Sequence, residues 1–318
     1  MFQAGSLAKD ESAQLTEARR AFTQGDWDRS LELARRAAEK NSDLLCGEVF
    51  VTRLLFESGE FAAGKAVLER AAIERPDDPD VFWTLGDLAL YQARLADAWV
   101  LYHHALDLLE KRSYSDFAAQ QRRRFLLRGC AKVAELRRDW ARLQQVTAQW
   151  LALVPDDGEA LRSAARAEFE QGDSAEATKK LQAALQTQQD AEPISLTLWR
   201  WAREDNQPEK ANAYVNQALK DSPDDSRVVF AAAMWRSERG NRDEALSLLE
   251  RVKTANRVNV DAIRLRSALL LADGKYESAE RDARQALSIV PSDIGARGVL
   301  AIALAASYDS DAHEESKQ

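Results

Sequence analysis

Side chains able to do acid–base, nucleophilic or metal chemistry are few in this chain, and their spacing is poor. There are three histidines, His103, His104 and His313. The adjacent pair points about 100° apart on a helix, so it cannot grip one metal as an i, i+4 pair does. Cys46 and Cys130 stand far apart with no C-x-x-C pairing, which excludes a disulfide framework and a cysteine zinc site. No H-E-x-x-H, G-x-S-x-G, glycine-rich phosphate loop or calcium loop occurs. No catalytic residue, metal ligand, cofactor or small-molecule substrate is therefore assigned, and the expectation is a protein that is not an enzyme.

The chemistry that the spacing does offer is ionic. Arg128/Lys132 and Arg162/Arg166 are i, i+4 pairs set 34 residues apart. Each like-charge pair costs an isolated helix about 0.2–0.5 kcal/mol. Arginine grips a carboxylate through two parallel hydrogen bonds, which fixes orientation as well as adding attraction. Arg200 continues the same 34-residue series from Arg166. Glu135, Glu159, Glu170 and Glu204 are the acids available to neutralise these cations.

The elements that carry these residues repeat. Gly25-Asp26-Trp27 is followed 34 residues later by Gly59-Glu60-Phe61. Gly172, Asn206, Gly240 and Gly274 keep the same interval; asparagine is a common substitute where positive φ is needed. Small residues sit five places after the turn, at Ser30, Gly64, Ala98, Ala177, Ala211, Ala245 and Ala279. Others sit seven places before it, at Ala18, Gly86, Ala131, Ala165, Ala233 and Ser267. Pro76, Pro155, Pro223 and Pro291 close the units in phase. Leu31, Ala34, Ala37 and Ala38, or Leu246, Leu249 and Val252, show the apolar spacing of amphipathic helices. Each unit is thus a helical hairpin that must stack on its neighbours to bury its stripe.

In these four landmarks the chain resembles the tetratricopeptide repeat family. Units start near Glu11, Leu45, Pro79, Arg124, Gly158, Glu192, Ser226 and Val260. The resemblance implies an all-α, right-handed α-solenoid of eight hairpins plus a C-terminal capping helix. It departs from the pattern at Leu143 and Trp199, which replace small residues, so those units are expected to pack less regularly. Gly86 is expected at a close helix crossing and Gly47 away from one.

The expected organisation is an N-terminal lead over 1–10, repeats 1–3 over 11–112, and a helical insertion over 113–123. Repeats 4–8 follow over 124–293, then a terminal helix over 294–307 and a disordered acidic tail over 308–318. The insertion opens with an N-cap signature at Ser113-Tyr114-Ser115-Asp116, so the fourth unit is expected to have a longer first helix. The terminal helix is apolar over most of its circumference, which makes oligomerisation through it an expectation.

In the family, the first helix of each unit lines a concave groove where ligands bind. The resemblance therefore puts Arg128, Lys132, Arg162, Arg166 and Arg200 on one wall, as a basic ladder for an acidic peptide or protein segment. Trp83 and Tyr91 are the aromatic candidates to hold an apolar part of the same ligand. The family's clamp for a C-terminal carboxylate needs asparagines that the matching positions lack, so chaperone-tail binding is not expected.

The net charge is −8, against bulk nucleic-acid or anionic-membrane binding. No stretch has the length of a transmembrane helix and no signal peptide is visible. The expected location is cytoplasmic, or periplasmic or membrane-attached if a targeting segment precedes Met1 in the full gene product. The function expected is a protein-binding scaffold or adaptor. The alternatives are the repeat region of a larger membrane-associated or secretion complex, and nucleic-acid binding through the basic groove.

Overall fold

The structure, a computed structural model, describes residues 13–187, 192–254 and 259–315. Every regular element among them is a helix. The chain divides into two compact units, up to Gln189 and from Asp190 onward. The first holds α1 (Ala13–Thr23), α2 (Trp27–Lys40), α3 (Gly47–Glu57), α4 (Phe61–Glu74) and α5 (Pro79–Tyr91). It continues with α6 (Leu95–Leu109), α7 (Asp116–Leu136), α8 (Trp140–Leu153), α9 (Gly158–Glu170) and α10 (Ser174–Leu185). The second holds α11 (Ile194–Glu204), α12 (Pro208–Asp221), α13 (Ser226–Glu238), α14 (Arg242–Thr254), α15 (Val260–Ala272), α16 (Tyr276–Ile289) and α17 (Ile294–Glu315). Within each unit, consecutive helices pair as hairpins that stack in chain order, giving an all-α solenoid.

Eight hairpin turns share one conformation. Gly25, Gly59, Ala93, Arg138, Gly172, Asn206, Gly240 and Gly274 all have positive φ. The next residue's N–H bonds back to a carbonyl five residues before it each time, from Asp26 to Ala21 in the first turn and from Lys275 to Leu270 in the last. This is the Schellman closure, which satisfies carbonyls left over at a helix end. Ala93 and Arg138 adopt it without glycine's freedom.

Small residues allow close approach within the second and third hairpins. The Thr52 hydroxyl lies 3.5 Å from the Gly64 carbonyl oxygen, to which it donates. A Cβ on Gly86 would come within 2.7 Å of the Tyr102 ring. Leu143 and Trp199, the enlarged positions, are both buried, as are Ala131 and Ala211. Gly47 lies away from the crossing within its hairpin, yet a Cβ there would sit 2.7 Å from the Arg35 backbone nitrogen. It marks a close approach of α3 to α2, between repeats rather than within one.

The extra residues before the fourth unit lengthen α7 to 21 residues. Ser115 caps it by accepting from the Ala118 N–H at 3.2 Å. The added turns are tied into the stack. Arg122 is fully buried and bonds Asp80 through Nε at 2.9 Å and Nη2 at 2.8 Å. Its Nη2 also reaches the Asp43 carbonyl at 3.1 Å, and its guanidinium lies 4.2 Å from the Tyr114 ring centroid. The Ser115 N–H donates to the Asp43 carboxylate at 2.9 Å, which holds that carboxyl below its usual range.

At the other end α17 continues to Glu315, eight residues into the segment read from sequence as a disordered tail. Residues 308–315 contain no glycine or proline to stop it. The lead over 1–10 and residues 316–318 lie outside the described residues.

Candidate functional site

The fifth and ninth residues of a unit are one helical turn apart and share a face of its first helix. On α5 these are Trp83 and Asp87; on α3, Val49 and Arg53; on α7, Arg128 and Lys132; on α9, Arg162 and Arg166. Within the first unit these faces are linked side chain to side chain. The Arg53 guanidinium lies 4.7 Å from the Trp83 ring centroid. Trp83 stacks on Phe125 with centroids 5.3 Å apart and planes 16° apart.

Trp83 is only 7% exposed and belongs to the core. Named from sequence as a candidate to hold an apolar part of the ligand, it is instead a pillar between the third and fourth repeats. Its large ring fills the space between stacked first helices, where burial is worth most.

Asp87, half-buried, accepts a hydrogen bond from the Tyr102 hydroxyl at 2.8 Å. Burial pushes its carboxyl up to about 6, against the opposing pulls of Tyr102, Arg53, Trp83 and Arg128. The same burial, with Asp87 beside it, raises the Tyr102 phenol. Tyr102 reaches this place because Gly86 and Gly129 open a slot: a Cβ on either would come within 2.7 Å of its ring.

The expected basic ladder is only partly built. Arg128 is partly exposed and pairs with Glu159 of the next repeat at 2.7 Å. Lys132, about half exposed, sits 3.4 Å from Glu135. Arg162 is half-buried on the same side of α9. Arg166 is not part of an open wall. It is buried, 2.6 Å from Glu170 and 5.5 Å from the Trp140 centroid. Arg200 belongs to the second unit and pairs with Glu192. Glu159, Glu135 and Glu170 thus pair with Arg128, Lys132 and Arg166.

Tyr91 is 65% exposed and stacks almost parallel on Phe61, centroids 6.2 Å apart. Phe61 stacks in turn on Phe56 at 5.9 Å. The ring is therefore an open face at the hairpin-turn edge of the second and third repeats.

Sequence reasoning passed over Arg53, Phe125 and Tyr102 as site residues. Arg53 carries the same signal as Lys132, since both are ninth residues. Phe125 and Tyr102 gave none, because their role depends on which ring each meets across repeats. The cysteines add nothing to the site. Both are buried, burial drives the Cys46 thiol well up, and Cys130 is pushed up to about 12. Among the described residues no group of three or more His, Cys, Asp and Glu is placed to hold a metal ion.

Residues 126–192, from inside α7 to the start of the sixth unit, match the family model described as tetratricopeptide repeat. The hairpin turns after that stretch keep its 34-residue spacing, and those before it keep the same spacing among themselves, with eleven extra residues between Ala93 and Arg138. Residues 126–192 are tetratricopeptide repeat sequence. A comparison with curated proteins finds none that matches. A tetratricopeptide repeat protein from Parabacteroides merdae aligns over 81% of this chain and 97% of its own, at 16% identity and TM-score 0.49. The pilF protein of Pseudomonas aeruginosa aligns over 72% and 99%, at 16% identity and TM-score 0.39. PilW, described as a widely conserved type IV pilus biogenesis factor, aligns over 70% and 98%, at 16% identity and TM-score 0.39. No part of the functional reading rests on these distant likenesses. The tetratricopeptide fold is in general a scaffold for protein–protein interaction, offering stacked helix faces to a partner. No described helix is long and apolar enough to cross a membrane.

Proposed function

We propose that this tetratricopeptide repeat protein is a non-catalytic scaffold. Its first unit holds an acidic peptide or protein edge against the first-helix face of repeats 2 to 5. The observation that carries the proposal is the set Arg53 on α3, Arg128 and Lys132 on α7, and Arg162 on α9, all first helices of a chain with net charge −8. Asp87, the acid within that row, is drawn back by burial and engaged by Tyr102. Arg128 and Lys132 are held by exposed or half-exposed glutamates. Such surface pairs contribute about 0–1 kcal/mol, so a ligand carboxylate can displace them. The negative surface elsewhere steers an acidic segment toward the row. Trp83 and Phe125 give the row a rigid floor, and Tyr91 on Phe61 offers an open aromatic face nearby in sequence.

The test is Arg128→Glu with Arg162→Glu in the full chain, used as bait for affinity capture from the native host. Circular dichroism controls for folding. Both side chains are partly exposed, so the double variant is expected to fold and to lose the partner that the wild type retains. A folded double variant that captures the same partner equally well would show the row to be a solvated face.

A further inference from the structure

Among the first-helix positions that form the cationic row, one is an acid. Asp87 is the ninth residue of α5, the first helix between Arg53 on α3 and Arg128 on α7. Both cations act on its carboxyl. Asp87 is also held in place. Its Oδ1 accepts from the Tyr102 hydroxyl at 2.8 Å. The Tyr102 ring is itself confined to its slot, since a Cβ would come within 2.7 Å of it from Gly86 and 2.6 Å from Gly129. A ligand carboxylate laid between Arg53 and Arg128 therefore meets a fixed carboxyl group. Two carboxylates brought together out of water do not both stay ionised; one proton shared between them removes the conflict.

We infer that the ligand's carboxylate docks on Asp87 itself and that binding takes up one proton from solvent, held between the two groups as an O–H···O⁻ hydrogen bond. The inference rests on the acidic-ligand reading of the row. The balance is one proton added to the Asp87 carboxylate, with no other bond made or broken. Oδ1 stays committed to Tyr102, so the proton goes to Oδ2 and is donated from there to the ligand. A hydrogen bond of this charge-assisted kind is about twice as strong as a neutral one. The ligand keeps its negative charge for Arg53 and Arg128.

The surroundings direct the proton to Asp87. Burial raises its carboxyl to about 6 before any ligand arrives, against the pulls of Tyr102, Arg53, Trp83 and Arg128. A docked carboxylate removes more water and adds a like charge, and both raise it further. Asp80, the other acid acting on Arg53, is bound by Arg122 of α7 at 2.9 and 2.8 Å. The Tyr102 phenol is raised by burial and by Asp87, so it stays protonated as a donor. His103 and His104 of α6 are turned to the Trp99 carbonyl and the Phe82 ring.

Isothermal titration calorimetry with a hexa-aspartate peptide tests the inference. The peptide's own acids titrate near 3.9 and stay ionised at the pH values used. Titrations of the full chain at pH 7.0, in two buffers of different ionisation heat, count the protons taken up. The wild type should take up about one per peptide bound. A site that accepts the peptide only with Asp87 neutral loses affinity in proportion to the neutral fraction, so wild-type binding should be about twentyfold tighter at pH 5.5 than at pH 7.5. Asp87→Asn keeps an oxygen for Tyr102. It should bind the peptide equally at both pH values and take up no proton. Proton uptake that persists in Asp87→Asn overturns the inference. Peptide binding without proton uptake, abolished by Arg128→Glu with Arg162→Glu, overturns it and leaves the row reading standing. A peptide that the wild type binds at neither pH overturns both.

Discussion

At the scale of single residues, burial decides which charges are available. Asp87 has lost enough water to raise its carboxyl to about 6, above the ordinary value near 3.9. Between about pH 4 and 6 the unfolded chain releases this proton before the folded one does. Stability therefore falls as pH rises through that window, and the full cost of about 2–3 kcal/mol is present above it. Asn at this position keeps an oxygen to accept from Tyr102 and removes the charge. Asp87→Asn is thus expected to be more stable than the wild type at pH 7.5, by about 1–3 kcal/mol, with the gap closing at pH 4. Urea unfolding at the two pH values measures it, and a gap independent of pH would contradict the assignment. The i, i+4 cation pairs were legible in sequence, but their partners were less so. Arg128 meets Glu159 across 31 residues of chain, and only the stacking of α7 on α9 brings them together. Arg166 shows the same limit: its type and spacing match Arg162, and its burial follows from Trp140 and Glu170 packing over it.

The elements were the most legible part, because each hairpin turn makes local demands. Positive φ, a Schellman closure and a small residue on either side leave marks at fixed intervals in any one repeat. Ala93 and Arg138 are the turns where the glycine mark is missing and the conformation persists. A left-handed alanine stores strain that glycine does not, so Ala93→Gly is expected to raise stability by about 0.5–1 kcal/mol, read as a higher urea midpoint. An unchanged or lower midpoint would mean that α6 pays no penalty at its entry. The insertion was legible as helix but not as a tie. Arg122 spans from α7 to Asp80 at the head of α5 and to the Asp43 carbonyl before α3. Nothing local announces a partner 42 residues away. Arg122→Ala leaves Asp80 buried without its cation, which typically costs about 3–5 kcal/mol. Thermal and urea unfolding should both show the loss, whereas Arg123→Ala, next to it and partly exposed, should cost under about 1 kcal/mol.

At the scale of the molecule, the repeat phase carries from the first described hairpin to α17. It makes the face of every first helix a comparable surface. In the first unit that comparison picks out Arg53, Arg128, Lys132 and Arg162, the row proposed to hold the partner. The account's central claim is that the partner lies on the first-helix row of the first unit. The most direct measurement places a photo-crosslinking amino acid at Lys132, on that row, and in a second variant at Val100, an exposed side chain on the second helix α6. Irradiation in the native host is predicted to join the partner to the chain from position 132 and not from position 100. Crosslinking from position 100 with none from position 132 would contradict the account.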